Sequence, residues 1–300
     1  MVGAAPGAGG TRVTGTGRWL VAGGRGMLGQ DLQWILGEAG AEVAALGHRE
    51  LDVTDAGAVR EAVEGFDVVV NGAAYTRVDD AETEQDAAYA VNATGAGILA
   101  GASTAVGARF VHVSTDYVFD GTATTPYAED APVSPLSVYG ASKAEGERLV
   151  RAANPGAIIL RTAWLYGAHG PNFVSAVLAR GRTGQQVSVL TDQRGQPTWT
   201  GDLAQRIFDV VTVGVPAGTY HATNSGAASR YEFAKEIFRL AGLDPELVVA
   251  ATEVAPRPAP RPAYSVLGHD GWANSGLPPL RAWQDALAES AAYGVLQQLP

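Results

Sequence analysis

The chain contains no cysteine. That excludes disulfides, a thiolate nucleophile and a zinc–thiolate centre. It also lacks an uninterrupted run of about 18 apolar residues, so no stretch reads as a membrane-spanning helix. Positive charge is scarce: 21 Lys and Arg against 31 Asp and Glu leave a formal net charge of −10. Such a balance argues against nucleic acid or an anionic membrane as partner, although a local arginine cluster can still hold a small anionic ligand. Residues 1–17 lack the apolar centre of a signal peptide and read as a disordered tail on a cytoplasmic protein. No internal repeat is evident.

What is present is ordinary globular composition, 46% hydrophobic and 17% charged, in a length that allows one large or two smaller domains. The 38 glycines point to tight turns and close helix–sheet packing. Trp19-Leu20-Val21-Ala22 reads as a buried parallel strand and runs into Gly23-Gly24-Arg25-Gly26-Met27-Leu28-Gly29, after which a helical pattern begins. A Gly-x-x-Gly-x-x-Gly spacing on a strand-to-helix turn is the geometry of a dinucleotide pyrophosphate site. Gly23 and Gly26, with Arg25, Met27 and Leu28 between and beside them, are therefore cofactor-binding candidates.

Val43–Leu46 is the next strand. An acid at its end would favour NADH through the ribose hydroxyls. The chain instead reads Gly47-His48-Arg49, which leans towards a 2′-phosphate held by His48 and Arg49 and hence towards NADPH, with NADH left open. The bland alternative makes Arg49 a solvated loop residue. Asp52 and Val53 then fall beside the adenine, Asp52 as partner for its amino group. The strand Asp67–Asn71 leads into Gly72, Ala73 and Ala74, small enough for the chain to pass under a cofactor. Tyr75 to Asp79 form a loop at the carboxyl end of that strand. Residues 82–106 read as one long helix with Ala87, Val91 and Leu99 inward. Asn92, a poor helix former, is expected to bond backbone near the active site.

Phe110–Val113 is a fourth strand, ending at Ser114-Thr115-Asp116-Tyr117. Tyr139-Gly140-Ala141-Ser142-Lys143 follows, and on a helix Tyr139 and Lys143 share a face. An ammonium there is expected to lower the phenol pKa, suiting proton transfer in carbonyl reduction. Thr115 at the strand end supplies a hydroxyl for the carbonyl. Thr115, Tyr139 and Lys143, behind a dinucleotide turn, form the catalytic candidate set. Ala157–Leu160 and Gly218–Ala222 are further strands. Helices are expected over 202–213, 230–241 and about 280–293, and from Asn172 onward. Pro256–Pro262 is proline-rich and basic, and Arg261 is expected on a phosphate.

These motifs resemble the dTDP-4-dehydrorhamnose reductase family of extended short-chain dehydrogenases/reductases, from Trp19 to the last helix. The carrying segments are Gly23–Gly29, Ala73–Thr76, Asp79–Glu82, Ser114–Gly121, Tyr139–Lys143, Arg161–Gly167, Asp192–Thr198 and Arg261 to Leu267. The resemblance implies an α/β fold: a Rossmann-type doubly wound parallel sheet over 18–162 and a smaller, mixed α/β substrate-binding lobe over 163–300, with about 187–215 returning to the first. It implies reduction at C4 of a dTDP-4-keto-6-deoxyhexose by a nicotinamide hydride. Tyr139 gives the proton, Lys143 holds the nicotinamide ribose, and Thr115 bonds the carbonyl oxygen, an effect of about 3 kcal/mol in analogous sites. Tyr75 and Asn92 fall beside the cofactor. Thr76, Val78, Asp116, Tyr117 and Trp164 are implied near the sugar, Asn172, Gln196 and Arg261 near the nucleotide. A monomer or homodimer is implied; some family members bind magnesium between subunits, but no residue here is assigned to it.

Thr115-Asp116 is followed by Tyr117 where related dehydratases carry a second acid, so dehydration lacks its base. A C4 epimerase with retained NAD, a ketoreductase of another nucleotide sugar, and a non-catalytic dinucleotide-binding regulator are the competing readings.

Overall fold

A computed structural model describes residues 17–251 and 257–297 of the chain. The expected tail over 1–17 falls, but for Gly17, outside them. Trp19 to Ala22 point alternately to two faces and all four side chains are buried, as a strand covered on both sides requires. This strand, β1 (Arg18–Ala22), lies in a six-stranded sheet with β2 (Glu42–Leu46), β3 (Val68–Asn71), β4 (Arg109–Thr115), β5 (Ile158–Thr162) and β6 (Gly218–His221). Every pairing is parallel and the order is β6-β5-β4-β3-β1-β2. The chain reverses its winding direction between β1 and β3, which opens a crevice at the carboxyl ends of the strands.

Helices α1 (Met27–Glu38), α2 (Ala56–Val63), α3 (Gln85–Tyr89), α4 (Ala96–Val106), α5 (Val138–Ala153), α6 (Phe173–Gly181), α7 (Thr200–Val213), α8 (Arg230–Leu240) and α9 (Trp283–Ser290) complete the framework. On one face of the sheet, Leu32 and Leu36 of α1 and Leu203, Ile207 and Val210 of α7 pack against Trp19, Val21, Val68 and Val70. On the other, Val59 of α2, Leu99 of α4 and Val150 of α5 cover Leu20, Val69, Phe110 and Ile159. Residues of opposite parity along β1 and β3 thus belong to different cores, and the doubly wound α/β fold follows.

The single helix expected over 82–106 is instead interrupted. Ala90–Gly95 is a π-helical turn between α3 and α4. One extra residue per ring rotates the phase. Ala87, expected inward, is exposed, while Ala88 and Asn92 are buried. The cause lies outside the helix. Asn92 Oδ1 accepts from Tyr75 N at 2.8 Å, and its Nδ2 donates to Tyr75 O at 3.1 Å and Ser142 Oγ at 3.0 Å. These bonds compete with regular helical pairing.

A separate core joins Tyr166, Val174 and Leu178 to Phe233, Ile237 and Phe238 of α8 and Trp283 and Leu287 of α9. Short pairings brace it: Val187–Leu190 runs parallel to Val248–Ala251, and Ala228–Ser229 antiparallel to Arg194–Gly195. Val187 and Val189 belong to this second core, whereas α7 and β6 join the main sheet. The return expected at 187–215 is therefore displaced to about 200–221, because the apolar strand at 187–190 finds a local partner at 248–251.

Candidate active site

Gly23 holds φ at +81°, and a Cβ there would stand 2.6 Å from Ala73 N. Only glycine lets the turn pass this close under Gly72 and Ala73. Gly23 and Gly24 both donate to Leu46 O at 2.9 Å, which ties the turn to the end of β2. Helix α1 then starts from Gly26 with no side-chain cap and no acid in its first turn. Its N–H groups and dipole are presented to an anion. A backbone cradle that a Cβ would fill, followed by an uncapped helix start, fits a dinucleotide pyrophosphate. Met27 and Leu28 open this helix half-buried, and Ala73, Ala74 and Tyr75 continue the rim at the end of β3. Tyr75 is fixed twice, by Asn92 through its backbone and by Glu84 through its hydroxyl at 2.9 Å.

Four cofactor candidates are engaged locally or lie exposed. Asp52 does not point out as an adenine partner: its Oδ1 accepts from Thr54 N at 2.9 Å and Thr54 Oγ1 at 2.7 Å, closing its own turn. Val53 is core, packed so close under the π turn that a Cβ on Gly95 would lie 2.7 Å from its Cγ2. His48 and Arg49 are both exposed on the turn after β2. The cation that does reach the end of β2 is Arg25, paired with Glu50 at 2.5 Å.

Thr115, Tyr139 and Lys143 converge. Thr115 ends β4 and is 6% exposed. Its hydroxyl donates to Asp116 Oδ1 at 3.0 Å, accepts from Tyr117 N at 3.2 Å, and is in hydrogen-bond contact with the Tyr139 phenol. Helix α5 carries Tyr139 and Lys143 one turn apart. Its start is fixed by Ser137 Oγ, which accepts from Gly140 N at 3.2 Å, and by Glu82, which accepts from Val138 N at 2.9 Å. Two glycines let it approach: a Cβ on Gly140 would be 2.2 Å from Tyr117 O, and one on Gly146 2.1 Å from Asn92 O. Lower down, Glu147 is fully buried and holds Arg161 through two bonds of 2.8 Å. Ser114 Oγ donates to the same carboxylate at 2.7 Å.

The electrostatics correct one expectation. Lys143 Nζ donates to Val113 O at 2.7 Å, and its ammonium does not lower the Tyr139 pKa. Burial pushes the phenol up instead, with the Thr115 bond opposing. Burial also brings Lys143 down to about 8, opposed by Glu147. Desolvation disfavours both charged forms, so Tyr139 is held as a neutral phenol with its proton in place. Asp116, 1% exposed, rises to about 6 through burial, opposed by Ser265 and Thr115.

On the other side of the crevice, Tyr117 meets Tyr139 edge-on at 5.5 Å. Thr76 is exposed and Val78 half-buried in the loop after β3. Trp164 is, among the described residues, the non-glycine residue with positive φ, at 46°. Such a conformation costs about 1–3 kcal/mol and marks a position held by its surroundings. The guanidinium of Arg230 lies 3.5 Å from the centroid of its ring. Arg230 was not apparent as a site residue, since it opens an amphipathic helix like any solvent-facing cation. It forms no ion pair among the described residues, and burial lowers it to about 10. Asp116, Tyr117, Arg257 and Arg261 all act on it electrostatically. Arg261 is bound bidentately to Asp79 at 2.8 Å through each oxygen.

Two expected nucleotide contacts are bonded within the chain. Asn172 caps α6: its Oδ1 accepts from Val174 and Ser175 N–H groups, and its Nδ2 donates to Gly167 O at 3.0 Å. Gln196 is 2% exposed and clamps the backbone of Leu267 through both ends of its amide. The Asn172 amide also reaches Met27 Sδ at 3.7 Å, at the start of α1.

A cavity of about 940 Å³ lies behind α1, among Asp31, Trp34, Asp202, Arg281, Glu289 and Tyr293, away from all of these groups. Several of its acids are paired within the chain: Arg281 binds Asp202 at 2.9 and 2.6 Å and also pairs with Glu289, and His169 faces Asp31 at 3.6 Å. Among the described residues no group of three or more His, Asp or Glu is gathered to hold a metal ion.

Residues 17–294 match the family described as RmlD substrate binding domain. The chain is 52% identical over 277 residues to a probable dTDP-4,6-dihydroxy-2-methyloxan-3-one 4-ketoreductase of Streptomyces antibioticus, covering 91% of this chain and 94% of that one. It is 50% identical over 281 residues to a dTDP-4-dehydrorhamnose reductase of Streptomyces griseus, covering 91% and 92%. Among solved structures, the dTDP-4-dehydrorhamnose reductase of Bacillus anthracis in complex with NADP superposes with a TM-score of 0.88 at 36% identity, over 93% of this chain and 99% of that one.

Proposed function

The chain belongs to the RmlD substrate binding domain family, and from that premise we propose that it reduces the C4 ketone of a dTDP-4-keto-6-deoxyhexose with a reduced nicotinamide dinucleotide. It is an oxidoreductase. The cofactor supplies a hydride to the ketone carbon. Everything else falls to the chain's own side chains.

Thr115 and Tyr139 place two hydroxyls together at the end of β4, both able to bond one carbonyl oxygen. As that oxygen gains negative charge, the Tyr139 phenol is its proton source. A buried phenol is a weak acid, yet an alkoxide is a far stronger base, so transfer is downhill once the charge forms. Lys143 stands one turn below, its ammonium held at Val113 O and able to pass a proton or hold a ribose hydroxyl. Asn92 keeps the Tyr75 loop at a fixed distance from Ser142 and hence from α5. Trp164 and Tyr117 wall the crevice with aromatic surface for a sugar. Arg230 and Arg261 give it two guanidinium groups for a diphosphate. The observation that carries the reading is the junction of Thr115, Tyr139 and Lys143 beside an uncapped helix start and a glycine cradle.

NADPH is the proposed reductant, with NADH accepted; the NADP complex of the Bacillus anthracis protein supports this choice. The enzyme is proposed to work in the cytoplasm as a monomer or homodimer; no described helix is long and apolar enough to cross a membrane. Residues 18–162 with 200–221 are proposed as the cofactor-binding part and the remainder as the sugar-binding part. The test mixes protein, a panel of dTDP-4-keto-hexoses and NADPH or NADH, and follows loss of reduced-nicotinamide absorbance. Turnover of dTDP-4-keto-6-deoxyhexose is expected; none on any keto-sugar would overturn the proposal. The name of the Streptomyces antibioticus relative favours a second reading, a 4-ketoreductase for a more deoxygenated dTDP-sugar. The same panel separates the two.

A further inference from the structure

The end of β2 looks devoid of acid in the sequence, because Gly47, His48 and Arg49 follow the strand. The turn restores one. Glu50 N and Leu51 N both donate to Gly47 O at 3.0 Å, folding the chain back. The Glu50 carboxylate then accepts from Gly47 N at 2.6 Å and from Arg25 Nε and Nη2 at 3.2 and 2.5 Å. Arg25 comes from inside the glycine turn, and its stem lies directly over Gly47: a Cβ on Gly47 would stand 2.5 Å from Arg25 Cγ. Any larger residue there would lift the arginine away. A cation and an acid from two separate motifs are thus locked together at the strand end, with side chains 67% and 40% exposed.

These two groups recognise opposite forms of an adenosine ribose. A carboxylate accepts from a free 2′-hydroxyl, and a guanidinium binds a 2′-phosphate. We propose that the Arg25–Glu50 pair sets the dinucleotide preference, Arg25 being the 2′-phosphate ligand in place of Arg49 and Glu50 the competitor that withholds it. This rests on the dinucleotide reading above and deepens it. NADPH must draw Arg25 from a two-point carboxylate partner and then tolerate that carboxylate nearby. NADH leaves the pair intact and offers its ribose hydroxyl to the remaining Glu50 lone pairs. The pair therefore blunts discrimination, and both dinucleotides are accepted.

The test is direct binding of NADPH and NADH to the full chain, by calorimetry, for the natural sequence, Glu50→Gln, Arg25→Gln and Arg49→Gln. Glu50→Gln is expected to raise the NADPH-to-NADH affinity ratio about tenfold, and Arg25→Gln to lower it about tenfold. Arg49→Gln is expected to leave the ratio within about twofold of the natural chain. A ratio that moves only in Arg49→Gln, or in none of the three while the natural chain binds both ligands, overturns the assignment and leaves the dinucleotide reading standing. A natural chain that binds neither ligand overturns both.

Discussion

Tyr139 carries a proton that burial makes hard to lose, and the enzyme needs that proton only after charge has formed on the substrate oxygen. Tyr139→Phe is therefore expected to lower kcat by about 10²–10⁴-fold while NADPH binding, measured by titration, changes little. The convergence of Thr115, Tyr139 and Lys143 was legible from a four-residue spacing and a strand end. The direction of the phenol shift was not, since a spacing says nothing about how thoroughly Lys143 is bound to Val113 O or how dry the site is. Asn172 and Gln196 show a related ambiguity: an amide suits a ligand and a peptide group equally well, and here both bond backbone. Asp116 gives a pH signature. Its folded pKa of about 6 exceeds the ordinary 3.8, so between those values the native state binds more protons than the unfolded one. Stability is fully present below about pH 4 and is lost as pH rises through about 6, by up to about 3 kcal/mol for two pKa units. Asp116→Asn is expected to unfold at higher denaturant than the natural chain at about pH 7.5, with the gap closing near pH 4.

Helix α5 is the element on which the chemistry rides, and it is fixed along its whole length. Ser137 and Glu82 hold its start, glycine contacts seat it on Tyr117 and Asn92, and Glu147 ties it to Arg161 on β5. Gly146→Ala would drive a methyl group against the Asn92 carbonyl, which is backbone and cannot rotate aside. A loss of about 1–3 kcal/mol in denaturant melts is expected, with a kcat at least tenfold lower as Tyr139 and Lys143 shift. Glu147→Gln would leave the Arg161 guanidinium buried without its counter-charge, and about 3–5 kcal/mol of stability is expected to go in the same assay. The four inner strands were readable because apolar runs buried on both faces have few alternatives. The π turn was not readable: it is imposed by Tyr75 and Ser142, 17 and 50 residues away from Asn92 in the chain.

Across the whole molecule, the proposed cofactor and sugar nucleotide touch different parts, and their stabilising effects should be separable. A ligand at 100 times its Kd adds about 2.7 kcal/mol to the folded state. In thermal melts, both dTDP and NADPH are expected to raise Tm of the natural chain, and Arg230→Ala to abolish the dTDP shift while keeping that of NADPH. The path of the backbone has a practical corollary. After β5 the polypeptide leaves the main sheet, comes back for α7 and β6, and departs again. On the proposed division of the chain, sugar choice is not carried by one contiguous cassette. A working chimera must exchange the stretches before 200 and after 221 together, and a single crossover in either gap would join halves whose side chains have never met.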